Sequence, residues 1–142
     1  MPAKSPPGGG RPLLYPSRPR READPAAPGK LLYTVDAALT PASPVTDIGE
    51  LTALASDAVT AGGGHVLETS HVMFPNGAVT LVLILAESHL AIHTWPEDNL
   101  IAIDLFSCGT IDGHRVAAEL ARLLRLDEAH TRLIERGAPA RR

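Results

Sequence analysis

A serine, a histidine and a thiol lie close together between Ala86 and Gly109, in the stretch AESHLAIHTWPEDNLIAIDLFSCG. Ser88 stands between Glu87 and His89, His93 follows, and the chain's one tryptophan and one cysteine, Trp95 and Cys108, complete the set. Taken singly these residues are ordinary. A strand-end serine, a core histidine and a small buried thiol all occur in domains without activity. No Gly-x-Ser-x-Gly elbow surrounds Ser88, so hydrolase chemistry of that type has no support. His89 and His93 are four apart, which suits a shared metal on a helix. On a strand they would lie ~13 Å apart, too far for one ion, and the Glu of His-Glu-x-x-His is missing, so no metal is expected. Taken together, a hydroxyl, a base and a thiol can build and run an electrophilic centre from the chain's own atoms.

The order and spacing of these residues resemble the prokaryotic pyruvoyl-dependent S-adenosylmethionine decarboxylases. The resemblance rests on Ala86-Glu87-Ser88-His89-Leu90, on Ile92-His93-Thr94-Trp95-Pro96-Glu97 and on Asp104-Leu105-Phe106-Ser107-Cys108-Gly109. A weaker match runs from about Lys30 to Gly137. The resemblance implies a proenzyme that cuts itself between Glu87 and Ser88, converting Ser88 to a covalent, self-generated pyruvoyl group. Chains 1–87 and 88–142 would then stay associated. His93 would be the processing proton acceptor. Thr80, where the family has a serine eight residues before the cleaved one, would steady the tetrahedral intermediate. The pyruvoyl ketone would form a Schiff base with the substrate amine and act as electron sink. Cys108 would be the proton donor, since a thiol with a pKa near 8.5 holds a proton at neutral pH and can still release it.

For the substrate, the resemblance implies that Phe74 stacks on the adenine and sulfonium region, where an aromatic face suits a cation, and that Glu97 meets the ribose hydroxyls. The expected reaction converts S-adenosylmethionine to carbon dioxide and the decarboxylated aminopropyl donor for spermidine. Two departures bear on this. The turn Phe74-Pro75-Asn76-Gly77-Ala78-Val79-Thr80 has its proline and glycine one place early, and Gly29-Lys30-Leu31 stands where the family has Gly-x-His. Arginine or ornithine decarboxylation by the same pyruvoyl chemistry is the alternative. A non-catalytic binding or partner subunit is a further one.

Short strands and two helices must position these residues. Leu31 to Asp36 and Val66 to Met73 read as strands, Pro75-Asn76-Gly77 as a turn, and Ala78 to Ala86 as a buried central strand. Leu90 to Thr94 and Leu100 to Phe106 follow as strands, with Pro96 to Asn99 turning between them. Thr46 or Asp47 can cap a helix carrying Ile48, Leu51, Leu54, Ala55, Ala58 and Val59 at helical spacing, ended by Gly62-Gly63-Gly64. Asp112 to Leu124 reads as a second amphipathic helix, and Thr131 to Glu135 as a last edge strand. This order predicts an α+β two-layer sandwich, an antiparallel or mixed sheet with both helices on one face. Ile84, Ile92 and Ile103 lie in strands that read as apolar on both faces, so a homodimer is expected to cover the bare one.

Residues 1–29 form a separate segment, expected to be a disordered, dispensable tail before a domain at 30–142. Through Lys30 it holds eight of the thirteen prolines, with six basic residues against two acidic ones. The rest of the chain carries seven basic and fourteen acidic residues. Such an acidic domain argues against nucleic acid as a partner. No apolar run reaches membrane-spanning length, and the tail lacks a signal peptide's apolar core. A cytoplasmic protein acting on a small molecule is expected.

Overall fold

Leu31, Tyr33, Val35 and Ala37 are buried while Lys30 and Asp36 are exposed, the period-two pattern of a strand with one face in the core. This first strand, β1, runs over Lys30–Ala38. The computed structural model describes residues 29–137, so the tail expected over 1–29 lies, apart from Gly29, outside the described residues. Five more strands follow: β2 (Val66–Met73), β3 (Val79–Leu85), β4 (Ser88–Trp95), β5 (Leu100–Ser107) and β6 (Asp127–Arg136). All five neighbouring pairs are antiparallel, in the order β2-β3-β4-β5-β1-β6.

Helix α1 (Ile48–Ala61) starts where the Asp47 carboxylate accepts the Glu50 N–H at 3.1 Å. It ends at Gly62, and Gly63 takes the positive φ of 85° that turns the chain away. Helix α2 (Gly113–Leu123) starts the same way, with Asp112 accepting the Arg115 N–H at 3.0 Å. Leu51, Ala55, Ala58 and Val59 of α1 and Val116, Ala117 and Leu120 of α2 share one core with the alternate residues of β1, β3, β4 and β5. Gly113 is fixed by packing, since a methyl there would overlap the Tyr33 ring. Burial pushes the Tyr33 phenol above its ordinary pKa, and the Asp112 carboxylate adds to this, against a hydrogen bond with the Gly113 backbone.

The other sheet face carries no helix. Cross-strand partners share a face, so one transverse row across it is Ile84, His89, Phe106, Leu32 and Ile134. Ile84 and Ile134 are each 46% exposed, and the row through Thr80 and His93 on the same face ends on the exposed Val72. Ile92 and Ile103 lie in the core instead, because both their neighbours along the strand face the open side. The sheet is therefore two-faced rather than apolar throughout, and Ile84 alone of the three isoleucines lies on the bare face.

Candidate active site

Only Ala86 and Glu87 join β3 to β4, since Leu85 pairs with Ser88. Two-residue hairpins relax by taking positive φ inside the loop, which matches the twist of the strands. Neither loop residue does so; Ser88 carries the unusual angle, with φ at 150°. A non-glycine residue held there costs about 1–3 kcal/mol and persists only where its surroundings fix it. They do so here. The Glu87 carbonyl accepts the Cys108 N–H at 3.1 Å, and the Ala86 N–H donates to the His65 carbonyl at 2.9 Å. The Glu87 side chain is 2% exposed, and its two oxygens meet the His65 N–H at 2.7 Å and the His65 Nδ1 at 3.2 Å. The strained residue thus sits immediately after a peptide carbonyl that is already hydrogen-bonded. Cys108 follows Ser107, the β5 partner of Ser88, and its Sγ lies 3.8 Å from Thr110 Oγ1.

A second cluster forms on the open sheet face. Thr80 and His93 are direct cross-strand partners, and Thr80 Oγ1 lies 3.1 Å from His93 Nδ1. They line a cavity of about 500 Å³ together with Phe74, Asn76, Trp95 and Glu97. That volume lies within the range of small-molecule sites. The Trp95 ring packs near His93 at 6.1 Å. The displaced turn stays well tied: Gly77 N–H donates to the Phe74 carbonyl at 2.9 Å, and Phe74 N–H to the Ala78 carbonyl at 2.8 Å. Asn76 Nδ2 donates to Glu97 Oε2 at 3.3 Å. Glu97 itself lies in a short 3-10 turn over Pro96–Asp98, which ends on Asn99 at φ 48°.

The structure therefore brings Thr80, His93, Phe74 and Glu97 together, and separately brings Glu87, Ser88 and Cys108 together. It does not join the two groups within one chain. Ser88 and His93 are five residues apart on β4, or ~16 Å along an extended strand. Among the described residues no group of three His, Cys, Asp or Glu side chains could hold a metal. Two contributors, His65 and Asn76, carry no role in the sequence analysis; Asn76 stands within the altered turn. His65 had no local signal, because its partner is 22 residues away.

The antiparallel α+β sandwich is that of a known class of protein, as comparisons with known proteins show. A sequence model described as S-adenosylmethionine decarboxylase matches residues 32–137. The chain belongs to that family. It is 42% identical over 76 residues to S-adenosylmethionine decarboxylase proenzyme 2 of Bacillus anthracis, covering 53% of this chain and 62% of that one. It is 39% identical over 83 residues to an S-adenosylmethionine decarboxylase proenzyme of Methanococcus maripaludis, covering 57% and 67%. The Bacillus and Thermotoga relatives are matched over less than two thirds of their own length. The crystal structure of an adenosylmethionine decarboxylase from Aquifex aeolicus superposes with a TM-score of 0.70 at 25% identity, covering 80% of this chain and 94% of that one.

Proposed function

We propose that this chain is a self-processing proenzyme that cuts itself between Glu87 and Ser88 and then decarboxylates S-adenosylmethionine. The observation that carries this is the Glu87–Ser88 junction: a carbonyl hydrogen-bonded to Cys108 N–H, followed by a serine at φ 150°. Attack of Ser88 Oγ on the Glu87 carbonyl carbon moves negative charge onto that carbonyl oxygen. The Cys108 N–H is already aimed at it, as an oxyanion donor must be. Collapse breaks the C–N bond and leaves an ester. Removal of the Ser88 α-proton then expels the Glu87 carboxylate and leaves a dehydroalanine. Hydrolysis of its imine form releases ammonia and leaves a ketone at residue 88.

His93 is the base for that α-proton, with Thr80 holding its ring. Since ~16 Å separates Ser88 from His93 along one strand, the His93 and Thr80 that act on a given Ser88 come from a second copy of the chain. The bare sheet face, with Ile84, Val72 and Ile134 exposed on it, is the surface a second copy covers. The residues present fit a pyruvoyl group, because Ser88 is its source and Cys108 has the adjoining backbone. When formed, that group supplies an electron sink for decarboxylation. This chain's residues do the rest: Phe74 offers a face to adenine and sulfonium, Glu97 accepts from ribose hydroxyls, and the Cys108 thiol delivers a proton.

Intact-mass spectrometry of the purified protein tests the first step. The expected result is two chains, 1–87 and 88–142, the second lighter by one ammonia than a simple hydrolytic fragment. A single uncut chain after prolonged incubation overturns the proposal. Carbon dioxide release from labelled S-adenosylmethionine, arginine and ornithine in parallel tests the substrate. Faster release from either amino acid would keep the self-processing and reassign the pocket.

A further inference from the structure

The two-residue loop before the strained serine is held mainly by one residue outside both strands it joins. His65 donates its N–H to Glu87 Oε1 at 2.7 Å, its ring Nδ1 lies 3.2 Å from Glu87 Oε2, and its carbonyl accepts the Ala86 N–H at 2.9 Å. Both oxygens of a carboxylate that is almost fully buried are therefore met by a single residue. The ring itself is solvent-exposed, its side chain 74% accessible, so core packing does not account for it. We infer that His65 is a positioning residue for self-cleavage, holding Glu87 through its imidazole so that Ser88 keeps its attacking conformation. This rests on the self-processing reading above.

The argument is one of restraint. Ser88 stays at φ 150° only while the loop is prevented from taking an ordinary hairpin turn. Two of the three His65 bonds are backbone bonds, which any residue but proline would keep. The ring bond to Glu87 is the part that depends on residue type. Without it the Glu87 carboxylate keeps one donor for two oxygens, the loop gains freedom, and Oγ spends less time near the Glu87 carbonyl carbon. Small displacements of reacting atoms change rates strongly.

The test follows the appearance of fragments 1–87 and 88–142 by mass spectrometry after folding full-length chains. His65→Ala should cut about ten-fold more slowly than the wild type. His65→Asn, whose side-chain amide can donate from near the place of Nδ1, should return the rate to within about two-fold of wild type. In a Glu87→Ala background, His65→Ala should add no further slowing. A general loss of fold would slow the Ala and Asn variants alike and would add to Glu87→Ala. Equal cutting by wild type and His65→Ala overturns the inference, as does a His65→Asn rate no better than His65→Ala. A wild-type chain that never cuts refutes the self-processing reading instead, so the two failures are distinct.

Discussion

Mixing two inactive variants turns the separation of Ser88 from His93 into a count. Ser88→Ala has no hydroxyl to attack with, so it stays uncut. His93→Ala lacks the base and should cut at least ~10²-fold more slowly, the loss a missing general base gives. Along β4 the two residues stand ~16 Å apart, several times the reach of a proton transfer, so no rotamer change within one chain repairs either variant. In the proposed two-fold pair each copy would lend His93 to its neighbour's Ser88. Equal amounts folded together give about half of the pairs with one chain of each kind. Each mixed pair holds one complete site: Ser88 of the His93→Ala copy against His93 of the Ser88→Ala copy. About half of the His93→Ala chains should therefore appear as two fragments, and none of the Ser88→Ala chains. Differently tagged chains, co-expressed and weighed by intact-mass spectrometry, give the count. No cleavage in a mixture whose tags show that the copies pair would refute the two-copy site, and rapid cleavage of His93→Ala alone would refute its role as base.

Cys108→Ala should still cut, because the carbonyl of Glu87 is held by a backbone N–H, yet lose turnover of S-adenosylmethionine; uncut protein would show the thiol acting earlier. Gly113→Ala forces a methyl into the Tyr33 ring and should lower stability by about 1–3 kcal/mol in urea denaturation, while a neutral result would mean that α2 shifts freely on the sheet. Tyr33 has its pKa raised in the fold, chiefly by burial, so its contribution is complete below its unfolded value of about 10 and is lost as pH rises through the folded value. The urea midpoint should thus fall as pH rises above about 10, and fall less in Tyr33→Phe; equal falls would rule out this phenol as the titrating group.

Local chemistry carried most of the fold into view. The β2 bounds, the cap of α1 and the turn at Pro75-Asn76-Gly77 follow from residue type, with Asp47 capping through its neighbour three residues on. Less visible was β6, whose residues are exposed along its length and so lack the alternation that marks a strand. β4 begins two residues before the apolar run at Leu90, because Ser88 and His89 already pair with β3 and β5. Within the site, the motif from Glu87 to Cys108 marked the residue types but not their distances. A spacing of five between Ser88 and His93 reads as adjacency in a sequence and becomes remoteness on an extended strand. The φ of Ser88 and the link from His65 depend on contacts between distant segments, which no local pattern encodes.

The strand order carries a consequence for how the protein can be made. A cut after Glu87 leaves β1, α1, β2 and β3 on one chain and β4, β5, α2 and β6 on the other. Yet β1 lies between β5 and β6, and β3 lies against β4, so each piece is built into the other's sheet. Before the cut, folding is a first-order event of one molecule. After it, refolding becomes second-order, a search by two fragments of which neither has its own complete sheet. The uncut Ser88→Ala chain should regain its fold at a rate independent of concentration, whereas the cut protein, once unfolded, should recover more slowly the more it is diluted. Self-cleavage in this topology converts a reversible folding reaction into one that is easily passed through only once.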